Sequence, residues 1–384
     1  GDHVTTEAGT GVVHTAPGHG MEDYLVGKKY GLDVLCPVDA SGNLTLDAGE
    51  RLAGKNVLKD ASAEVIVWLT ENNALLKEAK LSHSYPHSWR SHKPVIYRAT
   101  EQWFISIDKI RDLALSEIKN VSWHPERGEN RITSMVENRG DWCISRQRSW
   151  GVPIPVFYCE SCNQELLNAD IINNVKQLFH TETSDAWWEH DAKALMGKDY
   201  ACASCGHTKF KKEMDIMDVW FDSGVTHTAV VEARSDELGH LPVELYLEGS
   251  DQHRGWFQSA LLTSVMTNGK APYKSVLTHG FVLDEHGRKM SKSLGNVIDP
   301  EKIINEYGAD VLRLWVASVD FTNDVKIGGN FLSQLAEVYK KVRNTIRFIL
   351  GNLNGFDPKV DRVQPEQFSF LDKHILGQLN SIIY

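Results

Sequence analysis

The chain predicts an α/β protein: an open sheet forms its centre, a β-rich module precedes it, and helices follow. Three stretches carry this expectation. An apolar run at 243–247 reads as a buried strand that stops at Glu248 and Gly249 and turns into a helix opened by Asp251, which sets polar groups at a strand's carboxyl end, where open α/β sheets bind ligands. Next, Lys289-Met290-Ser291-Lys292-Ser293 lies between Gly287 and Gly295. It puts two compact cations on a loop able to close over phosphates and neutralise a departing pyrophosphate. Taken alone, that motif is equally a solvated basic turn. Finally, Cys159/Cys162 and Cys202/Cys205 form two C-x-x-C pairs separated by 39 residues.

Length and composition bound the rest. A chain of 384 residues with 42% hydrophobic content predicts two or three domains, each able to bury a core. There is no uninterrupted apolar run of about 18 residues and no basic-then-apolar start, so a membrane span or secretory route is unsupported and a cytoplasmic location is expected. The net charge of −10 argues against a generally basic nucleic-acid binder and leaves RNA contacts to local patches. Opening at Gly1 without methionine, the chain reads as an internal piece of a longer protein.

In chain order, residues 3–24 read as two short β-type runs broken by glycines and a Pro-Gly turn, a simple hairpin or a pocket wall. A helix is expected at 61–76. Further helices are expected at 105–118 and 132–136, before an arginine-dense, strand-like run at 141–151. The cysteine pairs fit two knuckles holding a structural tetrahedral zinc, with a pair of disulfides as the rival that the composition disfavours. Cys36 and Cys143 read as core thiols. A helix at 171–179 lies between the pairs, in an insertion with little core of its own. Residues 217–224 read as a strand ending in a glycine turn, where Trp220 is by default core. Asp299-Pro300 supplies an N-cap and first-turn proline for a helix ending near Gly308, with a second helix at 309–318. From 332 onward Leu335, Val338, Val342, Ile346 and Ile349 recur at helical spacing.

The run Glu248-Gly249-Ser250-Asp251-Gln252-His253-Arg254-Gly255-Trp256, followed by Lys289-Met290-Ser291-Lys292-Ser293-Leu294-Gly295-Asn296, resembles the class I aminoacyl-tRNA synthetases, most closely the isoleucyl type. The valyl type is the nearest rival, and a non-catalytic RNA-binding module of synthetase origin is the different-class alternative. The resemblance implies a Rossmann-type catalytic half-domain that makes an aminoacyl-adenylate from ATP, with Mg2+, and transfers isoleucine to tRNA(Ile). Lys289 and Lys292 are then catalytic, with Lys292 binding ATP. Glu248, Gly249, Asp251 and Gln252 bind the adenylate, and His279, which is otherwise a structural histidine, lies beside the adenine. Trp220 and Trp256 wall the amino-acid pocket. Residues 3–24 resemble the editing domain, in which Asp23 holds the α-ammonium of a mischarged aminoacyl-tRNA and His14 lines the side-chain end. Editing exists because one methylene is worth only about 1–3 kcal/mol in a hydrophobic pocket. Some relatives carry cysteines where Ser88 and Ser91 stand; serine is a poor zinc ligand, so no metal is expected there. Arg146 and Arg148 fall at the cleft rim, either contacting tRNA or stabilising the fold.

The implied organisation is 1–85 the C-terminal part of the editing domain, 86–158 return to the catalytic domain, 159–212 zinc insertion, 213–325 catalytic second half and 326–384 the start of the anticodon-binding helical domain. The family's His-x-Gly-His motif is expected upstream of Gly1, so the chain by itself is not expected to activate an amino acid.

Overall fold

A computed structural model describes residues 2–7, 10–88 and 91–383, which separate into two compact units, Gly1–Trp103 and Phe104–Tyr384. In the first unit the expected β-runs at 3–24 do not form among the described residues; the Pro17-Gly18 turn leads instead into the helix Met21–Tyr30. Two contacts account for this. Asp23, in the helix's first turn, accepts the Ala16 amide at 2.7 Å, and Gly18 is so close to its neighbour that a Cβ there would lie 2.2 Å from the Leu35 carbonyl oxygen. The next helix, Ala61–Glu71, stops short of residue 76 because the chain turns at Asn72 and Asn73, the latter at a left-handed φ of 53°.

The second unit holds a parallel sheet of three strands, β1 (Ser122–His124), β2 (Val243–Gly249) and β3 (Tyr273–His279), in the spatial order β1-β3-β2. The helix Trp256–Asn268 makes the crossover from β2 to β3. From Phe257 to Val265 every residue of that helix is buried, because the helix Val219–Gly224 packs against it and its apolar side chains share one core with Tyr246, Tyr273 and Val276 of the sheet. Gly224 permits the approach of the two helices: a Cβ there would lie 3.0 Å from the Ser259 backbone. Trp123, Ile118, Ile132, Phe257 and Tyr273 complete the core. The α/β class and parallel sheet agree with the expectation.

Three local expectations need correction. The β2 strand is an edge strand, with Leu245 45% and Leu247 53% exposed, where a buried strand was expected. Only the end of 105–118 is helical, over Arg111–Ile118; before it the Ile107 amide is taken by Asp141 at 3.1 Å and Phe104–Ile105 pairs with Trp142–Cys143. Of 217–224 only Met217 is strand, closing the short strand Ile216–Met217; Val219–Gly224 is a helix because the Asp218 side chain caps the Trp220 amide at 3.3 Å.

The insertion has more core than its length suggested. Phe157, Ile171, Val175, Trp187, Leu195, Met196 and Phe210 are buried together with Cys159 and Cys202, beneath the strands Phe157–Cys159, Glu165–Leu166 and Phe210–Lys212 and the helix Ala169–Glu182. Cys36 and Cys143 are half-buried rather than core. Toward the C-terminus, Asp299 caps Pro300–Tyr307 as expected, accepting the Glu301 amide at 2.9 Å, and Ala309–Ser318 follows. The long helix runs Gly329–Asn352. Its apolar stripe is buried at Leu332 and Ala336, but Val338, Val342 and Ile346 are each 52% exposed. Among the described residues no helix is long and apolar enough to cross a membrane.

Candidate active site and metal centre

The parallel register brings the predicted strand-end residues together. Gly249 lies opposite His279 and Glu248 opposite Thr278, so the carboxyl ends of β2 and β3 form one ledge. There Glu248 Oε1 is 3.7 Å from His279 Nε2, while His279 Nδ1 lies 2.9 Å from the Gly280 carbonyl oxygen and therefore carries the proton. A Cβ at Gly249 would meet Asp251 Oδ1 at 2.7 Å and His279 Cε1 at 3.7 Å. The glycine is what lets the two side chains close over the strand end. Asp251 does not open the α-helix as expected; it sits in a short 3-10 turn, Ser250–Arg254, and the helix begins at Trp256. Gln252 bridges the junction, donating to Asp251 Oδ2 at 3.3 Å and accepting the Trp256 amide at 3.0 Å.

Trp220 and Trp256 flank Gly255. A Cβ at that glycine would lie 2.9 Å from the Trp220 ring and 2.5 Å from Gln252 Oε1. Trp256 is stacked on Tyr246, centroids 4.2 Å apart and planes 17° apart, and its Nε1 donates to the Ser223 carbonyl at 3.1 Å. One tryptophan is thus locked, while Trp220 is 42% exposed. Such flat, rigid apolar faces suit a branched aliphatic group. Arg146, whose role the sequence left open, pairs with buried Asp218 at 3.1 Å and donates to the Cys143 and Ser145 carbonyls. It supports the strand beside the tryptophan helix. Arg148 and Arg254 are exposed and make no ion pair among the described residues.

Two residues past His279, the Phe281 ring lies under Lys289, 4.3 Å from ammonium to centroid. Lys292 is exposed and unpaired among the described residues. His14 and Asp23 belong to the other unit. His14 is exposed, and Asp23 is half-buried with its carboxylate bonded two residues from His14, at the Ala16 amide.

The four knuckle sulfurs all lie within 4.8 Å of one another, with Cys159 to Cys205 at 3.6 Å and Cys162 to Cys202 at 3.5 Å. Four ligands about 2.3 Å from a tetrahedral zinc stand about 3.8 Å apart, so the cluster fits that ion and is too open for S–S bonds of about 2.05 Å. The backbone N–H of Cys205 pulls the Cys202 thiol down to about 7.

Sequence reasoning missed Asp218 and Asp284. The signals were present: Asp218 precedes a run that can be read at helical spacing, and Asp284 opens an Asp-x-x-Gly turn ahead of the lysines.

The parallel sheet thus carries a carboxylate, a bare glycine and a histidine at its carboxyl edge, beside a two-lysine loop, an α/β arrangement with its polar groups gathered at the strand ends. The family profile of class I tRNA synthetases (I, L, M and V) matches residues 44–328, and the chain belongs to that family. Among curated proteins it is 58% identical to the isoleucine–tRNA ligase of Synechococcus sp., 59% to that of Gloeothece citriformis and 57% to that of Caldanaerobacter subterraneus subsp. tengcongensis, in each case over 100% of this chain. The chain spans only 40–41% of the length of those relatives.

Proposed function

We propose that the full-length protein is an isoleucine–tRNA ligase that works in the cytoplasm, this chain supplying the strand-end and lysine-loop part of its activation site. The observation that carries the reading is the convergence of Glu248, Gly249, Asp251 and His279 at the carboxyl edge of two parallel strands, with Lys289 anchored over Phe281, two residues beyond His279. The names of the relatives favour isoleucine over valine. In the reaction the isoleucine carboxylate attacks the α-phosphorus of ATP, the bond from that phosphorus to the bridging oxygen breaks, and pyrophosphate leaves. A hydroxyl of the terminal ribose of tRNA(Ile) then takes the acyl group and releases AMP. Neither step requires a protein nucleophile; positioning and charge stabilisation suffice.

The proposed roles are those the resemblance implies, and the geometry supports them. Glu248, Asp251 and Gln252 offer acceptors to the adenylate's ammonium and ribose, and Gly249 lets the ligand approach the backbone. His279 stands at the adenine end. Lys289 and Lys292 offset charge on the phosphates, and Mg2+ bound to ATP would share that task. Trp220 and Trp256 wall the aliphatic pocket, and zinc on Cys159, Cys162, Cys202 and Cys205 is structural. Isoleucine-dependent ATP–pyrophosphate exchange by the full-length protein tests the assignment. Exchange with valine preferred over isoleucine, or RNA binding without any exchange, would overturn it.

Two substitutions probe its parts. Gly255→Ala forces a methyl group against Trp220 and Gln252, and overpacking of this kind costs about 1–3 kcal/mol. The isoleucine KM should therefore rise about tenfold or more, with the ATP KM little changed. Asp23→Ala should release valyl-tRNA(Ile) while leaving isoleucine activation intact, because the carboxylate that orients the mischarged ester for water is gone. Unchanged deacylation of valyl-tRNA(Ile) would count against Asp23.

A further inference from the structure

The lysine loop is closed at its base by two side chains outside the proposed chemistry. Asp284 is only 5% exposed, and its carboxylate accepts four hydrogen bonds. One oxygen takes the His286 and Arg288 amides at 3.0 and 2.8 Å, and the other takes Arg288 Nε and Asn296 Nδ2, both at 2.9 Å. Asn296 in turn donates to the Lys289 carbonyl at 3.2 Å and accepts the Ser291 amide at 2.9 Å. The two ends of 289–296 are thereby tied together. Only a short side chain carrying both a donor and an acceptor can make these three contacts.

Within the ring, Ser291 Oγ accepts the Leu294 amide at 3.2 Å, so Lys292 sits on a tight turn whose first residue Asn296 holds. Met290 is fixed as well, packing into the cluster of Ile303, Trp315, Ile327 and Leu332, with its sulfur 3.4 Å from the Ile298 amide. A buried carboxylate is costly unless fully bonded. Asn296 foremost, then the Arg288 amide, hold the Asp284 carboxyl well below the usual carboxylate range. We infer that Asp284 and Asn296 are positioning residues that aim the Lys292 ammonium at the phosphates of ATP by closing 289–296 into a ring. This rests on the ATP-dependent reading above.

The test uses the full-length protein. Asn296→Asp places two carboxylates face to face and removes the donor, so the exchange kcat should fall at least tenfold while the isoleucine KM stays within twofold. Asp284→Asn breaks the same bond and should behave alike. The pair D284N/N296D restores the bond between the two side chains with donor and acceptor reversed but leaves the Lys289 carbonyl without its donor, so the rate should stay well below that of the native protein. Because the ring acts through Lys292, adding Asn296→Asp to Lys292→Ala should cost little more than Lys292→Ala alone. Multiplying effects, an isoleucine KM that rises as much as kcat falls, or full recovery in the paired exchange would overturn the inference. Amide hydrogen exchange gives a readout independent of activity: residues 289–295 should be protected in the native protein and lose protection in N296D. An unprotected native loop would sink the ring even if activation is present, and a protected loop in a protein without exchange would sink the activation reading alone.

Discussion

Lys292→Ala in the full-length protein should lower the rate of isoleucine-dependent pyrophosphate exchange by roughly 10²-fold or more, while isoleucine binds nearly as before. The two lysines of the loop are not equivalent. Lys289 lies 4.3 Å over the Phe281 ring, an interaction already made without ligand, whereas Lys292 is exposed and unpaired among the described residues. A free ammonium on a held turn is available to charge that develops as pyrophosphate departs, and an interaction stronger in the transition state than in the ground state falls on kcat. In the proposed site isoleucine affinity rests on Trp220 and Trp256, which lie on other elements. Steady-state exchange with isoleucine and ATP varied separately checks this. A raised isoleucine KM with an unchanged rate would refute the role of Lys292.

How much of this was legible in the sequence varies with how local the cause is. The strand at 243–247 could be read from its apolar run and its stop at Glu248-Gly249, and the helix after Asp299-Pro300 from its cap. Both signals act within a few residues. The failures share the opposite property. Residues 3–24 have β-like composition, yet the turn at Pro17-Gly18 and the bond from Ala16 to Asp23 commit the chain to a helix, and Gly18 is pressed against Leu35, a contact no local pattern announces. Residues 217–224 look like a strand, which stops at Met217, and one buried carboxylate, Asp218, held by Trp142 at 3.0 Å and Arg146 at 3.1 Å, caps Val219–Gly224 as a helix. Exposure was the least legible quantity. Leu245, Leu247 and Val338 carry apolar side chains that the sequence reading places inside, and whether they are covered depends on which elements pack against them.

The candidate site shows the same division. Glu248, Gly249, Asp251 and His279 could be nominated from motifs, but their convergence comes from the register that sets Gly249 opposite His279. The roles of Arg146 and Asp284 needed partners distant in sequence or bonds within a turn whose geometry the composition leaves open. Motif residues are thus readable one at a time, and the residues that position them only in three dimensions.

Removing zinc should have the largest structural effect and one confined to the insertion. Cys159 and Cys202 are buried in its core, 0% and 5% exposed, whereas Cys162 and Cys205 lie at the surface. The ion would therefore join the inside of this small unit to its outer knuckles. Structural zinc contributes on the order of 10–16 kcal/mol in small metal-dependent domains. Here seven other buried side chains, with Trp187 donating to the Glu213 carbonyl at 2.9 Å, hold part of the fold without it. Chelation, or Cys202→Ser, should thus loosen 155–210 rather than unfold the chain. Amides of Phe157–Cys159 and Phe210–Lys212 should lose hydrogen-exchange protection by 10²-fold or more, while those of the crossover helix Trp256–Asn268, packed in a separate core, keep theirs. X-ray absorption of the zinc-loaded protein should show four sulfur ligands at about 2.3 Å. Metal analysis of carefully prepared protein that finds no zinc, or loss of protection spreading equally to the crossover helix, would show that the knuckles do not hold a local structural ion.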